Sequence, residues 1–151
     1  MAANTQAIIN EIQTLITGLS LYKTVEQGAI KDWTEAWPLA EIMLLEDNSE
    51  HYTHGGGIRD TQGFRVTSAV NFTQQTPPQA LAQLISLRDT VIPLFQQRAM
   101  LTGITGVQDS RVKPGSPKVS FVLVNGDDYL VHEFIVEVHQ TYYVPIGGAN
   151  A

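Results

Sequence analysis

The chain has 151 residues, a formal net charge of −6 and no cysteine. This length fits one domain that can bury a sizeable core, and the lack of cysteine excludes disulfides, thiolate nucleophiles and cysteine-based zinc sites. Nine basic residues are scattered among fifteen acidic ones, which argues against a nucleic-acid-binding surface. No apolar run reaches the length of a membrane span, and the first residues lack the pattern of a signal peptide. We therefore expect a soluble protein made in the cytoplasm, without a membrane partner.

The first third of the chain predicts a helix, a connecting segment and a strand. Residues 5–19 carry isoleucine and leucine at helical spacing, with Asn4 or Thr5 as a possible N-cap. The following segment contains Trp33 and Trp37 and is interpreted as a linker that covers one edge of the core. Residues 39–46 are apolar and typical of a strand.

A polar, glycine-rich stretch follows this strand, and its composition predicts a long loop over residues 48–63. Loops of this length inside a compact domain are usually functional or mobile. We expect it to become ordered when it docks on a partner. The residues predicted to contact that partner are His51, His54, Gly55, Gly56, Gly57 and Arg59.

The middle of the chain predicts a second strand, a long helix and a third strand. Residues 64–72 alternate between apolar and polar side chains, as in a half-buried strand. The helix begins after Thr76, which can act as its N-cap, and extends to about Leu101 with a kink caused by Pro93. Residues 104–112 predict the next strand.

The last part of the chain, residues 118–144, predicts two long strands joined by a tight turn. Asn125 and Gly126 form the strongest short hairpin signal, because both central residues of a type I′ turn need positive φ. In the second strand one face is almost entirely apolar, whereas the other carries Glu133 and Glu137. We expect the first face to pack on the domain, the second to meet solvent or a partner, and this long strand to offer a free edge.

Helices set apart from sequence-adjacent strands indicate an α+β fold. We predict a single domain over residues 1–151, with a mostly antiparallel twisted sheet, two main helices packed on one face, and a long C-terminal β-hairpin. Residues 145–151 are expected to form a flexible tail.

The sequence offers little support for catalysis. His54 and the three glycines after it match the oxyanion loop of some esterases, but no G-x-S-x-G elbow occurs. Glu133 and Glu137 would lie about 13 Å apart along a strand, beyond the separation of glycosidase carboxylates. His51 and His54 could hold a metal only if a flexible loop fixed their geometry. We therefore predict no enzyme activity and no catalytic, cofactor or metal site.

The order of elements resembles that of tail terminator proteins of long-tailed bacteriophages, the lambda-like family at the head–tail junction. The resemblance covers residues 5–144: the helix INEIQTLITGL, a strand, a long polar loop, the strand FRVTSAVNF, the helix ALAQLISLRDTVIPLFQQRAML, and the closing strand YLVHEFIVEVHQTYYV. It implies a virion structural protein, located at the tail–neck junction, that forms a homohexameric ring.

Such a ring would end the tail tube and join it to the head. Its partners would be other copies of the chain, the major tail tube protein and a neck or head-completion protein. DNA would pass through the lumen without specific binding, repelled by an acidic subunit. Seven residues fall on exposed positions according to the periodicity of the sequence, and we predict that they make the assembly contacts: Tyr129, Glu133, Glu137, His139, Tyr143, Arg88 and Arg98.

Three other interpretations fit parts of the sequence. A neck or head-closure connector of the same junction, or the terminator of a contractile tail, would share these features. A small metal-dependent hydrolase could use His51, His54 and Glu50. A ligand-binding α+β module could use Trp33 and Trp37 as a stacking platform. A stoichiometric bound metal would favour the hydrolase.

Overall fold

The computed structural model of the protein describes residues 4–51 and 56–144. They form one α+β domain with two helices and a six-stranded sheet, so the predicted fold class is confirmed. In chain order the elements are α1 (Thr5–Thr17), β1 (Thr24–Gln27), β2 (Leu39–His51), β3 (Gly57–Asn71), α2 (Pro77–Gln96), β4 (Val107–Val112), β5 (Lys118–Val124) and β6 (Asp127–Tyr143).

The sheet has the order β1-β2-β3-β6-β4, and β5 also pairs with β6. Only the β1–β2 pair is parallel; the other pairs are antiparallel. Strand β6 is therefore central, with β3 along one side and β4 and β5 in succession along the other. The prediction that this strand offers a free edge is wrong, because β4 and β5 occupy that edge. This side of the sheet ends in β4 and β5, and no described strand pairs with the outer edge of β5.

Strands β4 and β5 run in the same direction along β6 and are interrupted by a turn at residues 113–117. The Lys113 N–H donates to the Ile135 carbonyl (2.8 Å), and the Ser116 hydroxyl accepts from the Ile135 N–H (3.1 Å). These two hydrogen bonds satisfy the backbone C=O and N–H of Ile135 in β6, at the point between its pairing with β4 and its pairing with β5. Because of this interruption β5 does not continue β4 directly, and it forms a separate edge strand.

The helix face of the sheet, defined as the face that carries α1 and α2, holds the main core. Ile8, Ile12 and Ile16 of α1 and Phe95 of α2 pack there against Phe134 of β6. The predicted apolar set of β6 (Leu130, His132, Phe134, Val136 and Val138) is buried as expected. Both helices lie on this face, which confirms their predicted placement.

The second face of the sheet, opposite the helices, is covered at one end by the tryptophan segment. Trp33 packs edge-on against Tyr129, with ring centroids 5.1 Å apart, and its indole N–H donates to the Ile30 carbonyl (3.1 Å). The segment was predicted to be a linker covering the core, and it does cover this end. It also contains β1, a strand that the sequence analysis missed.

The prediction of a loop over residues 48–63 is wrong for residues 48–51 and 57–63, which the structure describes as strand. Strands β2 and β3 continue through it as a hairpin, and Glu50 pairs with Arg59 across the strands. Gly56 has φ +94°, and a Cβ there would lie 1.9 Å from the Val144 carbonyl oxygen. This glycine therefore permits close approach of two backbones, with the Val144 N–H donating to the Gly56 carbonyl (2.8 Å).

Local signals set most of the element starts. Thr76 caps α2 in a capping box with Gln79, as expected for a Thr-Pro-Pro start. Asn125 and Gly126 have φ values of 51° and 84°, which confirms the predicted hairpin turn. Helix α2 contains Pro93 and ends at Gln96 rather than near Leu101. The predicted tail, residues 145–151, lies outside the described residues.

Candidate assembly surface

Strand β5 exposes apolar side chains to a degree unusual for a folded domain. Phe121 is 62% exposed and Leu123 is 69% exposed, and Val119 and Val122 are exposed as well. Within the described residues β5 pairs only with β6, so its other edge presents unpaired backbone N–H and C=O groups. A long apolar edge strand of this kind promotes pairing with another chain.

A groove runs between β5 and α2 on the helix face of the sheet. One part of it encloses about 330 Å³ and is lined by Leu81, Ile85 and Val119, among others. The adjoining part encloses about 570 Å³ next to Phe121 and shares Leu81 with the first. Most of the exposed lining is apolar, although Arg88, Asp89, Lys118 and His132 also line the first part. Leu81 and Ile85 are exposed on α2. We call this groove together with the open edge of β5 the assembly surface.

His132 forms part of the groove floor, and Arg88 lies at its rim. Burial and the nearby Arg88 guanidinium lower the pKa of His132 below its ordinary value of 6.5, while Glu133 acts weakly in the opposite direction. His132 is therefore neutral in the folded protein at neutral pH.

Protonation of His132 links the stability of the fold to pH. Because its pKa is depressed in the folded state, the unfolded chain binds the proton more readily once the pH falls below 6.5. The free energy of unfolding should thus be highest above pH 6.5 and decrease as the pH falls toward the folded-state pKa. Urea unfolding at a series of pH values should show a smaller decrease for His132→Leu. The exposed His51→Gln is the control and should behave as wild type. An unchanged slope in His132→Leu would contradict this assignment.

The second face of the sheet carries an ion-pair network instead of the free acidic surface predicted from alternation. Glu137 is 11% exposed and pairs with Arg111 (2.8 Å), and His139 lies beside it at 3.4 Å. His139 also contacts Asp109 (2.6 Å). Glu133 is 18% exposed and pairs with Lys118 (2.8 Å). The carboxylates of Glu133 and Glu137 are therefore engaged in ion pairs within the chain.

The remaining predicted contact residues are placed very differently from one another. Tyr129 was predicted to be exposed, and this is wrong: it is fully buried, because Trp33 covers its end of the second face. Tyr143 is exposed at the far end of β6. Arg88 lies on the groove rim and pairs with its neighbour Asp89 (3.0 Å). The side chain of Arg98 is exposed just after α2.

The predicted docking residues do not form a loop in the described structure. His51 ends β2 and is exposed, Gly57 begins β3, and Arg59 pairs with Glu50 (3.8 Å). His54 and Gly55 lie outside the described residues. Among residues 4–51 and 56–144, no cluster of three or more potential metal-ligating side chains is found. Glu50 and His51 point to opposite faces of β2, since side chains alternate along a strand.

Sequence reasoning missed β5 as part of the candidate site, and on the exposed face of α2 it singled out only Arg88. A signal was nevertheless present in KVSFVLV, where apolar residues occupy both alternating positions of the strand. A strand that is apolar on both faces must be covered on both faces or meet a partner. Leu81 and Ile85 gave a second signal, because they extend the apolar face of α2 beyond the residues buried in the core.

No protein-family model matches this chain, and none of the curated proteins is significantly similar to it. No helix among the described residues is long and apolar enough to cross a membrane.

Proposed function

We propose that this protein is a phage tail terminator: a non-enzymatic subunit that assembles into a ring, ends the tail tube, and joins it to the neck of the head. The assembly surface is the observation that carries the proposal. Ten large hydrophobic residues are exposed in the described part of the chain, and six of them lie on it, namely Leu81, Ile85, Val119, Phe121, Val122 and Leu123. Burying a surface of this kind against another protein is favourable by about 25 cal/mol per Å² of apolar area.

The position of this surface at one edge of the sheet favours a ring. A contact made by one edge with a different surface of the next copy is heterologous, and such contacts close into rings when the rotation permits. The resemblance of the chain to tail terminators supports a hexamer. In this proposal the two ends of the ring meet the major tail tube protein and the neck protein, and DNA passes through the lumen.

The interpretation as a ligand-binding module loses one of its two tryptophans in the structure. Trp33 is only 8% exposed, and its ring is committed to Tyr129 and to the Ile30 carbonyl. It therefore offers no open face on which a planar ligand could stack.

Tube assembly provides the test of this function. Adding the protein to polymerising tail tube protein of the same phage should stop elongation, and electron microscopy should show a ring at one tube end. Leu81→Lys should abolish this effect because Leu81 lines the groove. Its neighbour Ala82, exposed but outside the groove lining, provides the control variant Ala82→Lys, which should act as wild type. Tubes that elongate unchanged in the presence of assembled rings would contradict the proposal.

A further inference from the structure

The described sheet has a second open edge, on the opposite side from β5. Strand β1 pairs with β2 only over Leu39–Ile42. Beyond Ile42, no described strand pairs with the outer edge of β2, which continues to His51. Leu44 and Leu45 are 39% and 47% exposed at this edge. The two open edges of the sheet thus both present backbone groups and apolar side chains.

The charges of the two edges are complementary. Residues 113–124 contain two lysines and no acidic residue, whereas residues 43–51 contain three acidic residues and neither lysine nor arginine. Much of this charge also forms ion pairs within the chain, namely Lys113 with Glu46 (2.8 Å), Lys118 with Glu133 (2.8 Å) and Arg59 with Glu50 (3.8 Å), although the Lys118 side chain stays 68% exposed. Asp47 accepts a 3.4 Å hydrogen bond from the Gln62 amide and forms no ion pair with the described residues, so its charge is available to a neighbour. Opposite charges across an interface favour this pairing over the pairing of like edges.

The strand directions are also compatible. Strands β2 and β6 run in one direction, and β3 and β5 run in the other. A rotation about the ring axis preserves the direction of each strand relative to that axis from copy to copy, also where the strands are inclined to it. β5 of one copy therefore meets β2 of the next in antiparallel orientation, which gives the more stable ladder.

We propose that β5 of one copy pairs with the outer edge of β2 of the next copy, so that the sheet continues around the ring. Leu44, on the helix face, would then contact Phe121 and Leu123, which share that face. The two edges are offset along the strand direction, and strands inclined to the ring axis accommodate this offset, as they do in closed barrels. This inference rests on the proposed ring and specifies which surfaces close it.

Cysteine cross-linking tests the contact directly, because the natural chain has no cysteine. Ser120 of β5 and Asn48 of β2 are both exposed, and both lie on the second face of the sheet. The double variant Ser120→Cys/Asn48→Cys should form inter-chain disulfides under mild oxidation and give a ladder of covalent oligomers. Glu46→Cys and Glu50→Cys, each paired with Ser120→Cys, sample the neighbouring registers, because a disulfide needs Cα atoms within about 7 Å.

The control is Ser120→Cys alone, which should remain uncross-linked. Efficient dimers of this single variant would show that β5 pairs with itself and would overturn the inference. Rings that form without any cross-link between the two edges in all three registers would also overturn it, while leaving the proposed function intact. Absence of both rings and cross-links would count against the inference and the proposed function together.

Discussion

Replacing Phe121 or Leu123 by lysine is expected to weaken self-association by about 30-fold or more at each site. A buried interface anchor typically contributes ~2 kcal/mol or more, and 1.4 kcal/mol corresponds to a factor of ten. Both side chains project from the open strand β5 and are mostly exposed in the single chain. The loss should therefore appear in assembly and not in folding. Sedimentation velocity over a concentration series measures the change.

Two observations separate this effect from simple destabilisation. The urea midpoint of Leu123→Lys should stay close to that of wild type, because an exposed side chain contributes little to the core. The midpoint of Phe121→Lys should fall slightly more, because this variant also loses the edge contact with Phe72 (ring centroids 5.1 Å apart). Tyr143→Lys is the matched control, since Tyr143 is also an exposed aromatic but lies at the far end of β6 from β5. Equal loss of association in Tyr143→Lys would show that charge alone, and not the position on β5, causes the effect.

Replacing Trp33 by alanine is expected to lower the free energy of unfolding by about 3 kcal/mol. Truncation of a buried tryptophan usually costs ~3–5 kcal/mol, and Trp33 holds the covering segment on Tyr129, Leu39 and Val131. For a domain of this size the melting temperature should fall by roughly 6–12 °C. Urea unfolding followed by far-UV circular dichroism measures the change.

Trp37→Ala provides the comparison for this prediction. Trp37 belongs to the same segment but is only partly buried against the cluster, so its replacement should cost clearly less. Equal losses for the two variants would indicate that the segment is held as a whole by other contacts, and that Trp33 has no special role in anchoring it.

Local sequence signals predicted the parts of the fold that short-range chemistry determines. The Asn125-Gly126 turn, the Thr76 cap and the apolar face of β6 depend on residues close in sequence, and each matches the structure. The helix-face core followed from the same periodicity. The sheet order did not, because alternation shows which face of a strand is buried but not which strands lie on its two edges.

The missed half of the β2–β3 hairpin has a specific physical cause. This part of both strands is polar in composition, and a polar composition predicts a loop. In the structure Gln62 and Gln140 are buried and bond to each other (2.8 Å), and Asp60 is buried with a hydrogen bond from Ser49. Polar side chains can occupy a core when they satisfy one another across strands, and no single segment of the sequence reveals that such partners exist.

The candidate site was missed for a related reason. The length of β6, the longest strand, predicts an edge that no other strand covers, and the interface is therefore expected on β6. Pairing on both sides of β6 moves the open edge to β5, where Phe121 and Leu123 lie. Glu137, predicted to face a partner, faces Arg111 instead.

Native mass spectrometry of the wild-type protein over a concentration series tests the central claim most directly. If the assembly surface joins one copy to the next, a closed ring, expected to be a hexamer, should become the dominant species as concentration rises. Phe121→Lys should remain monomeric at the same concentrations. A wild-type protein that stays monomeric throughout, also in the presence of tail tube protein, would contradict the account.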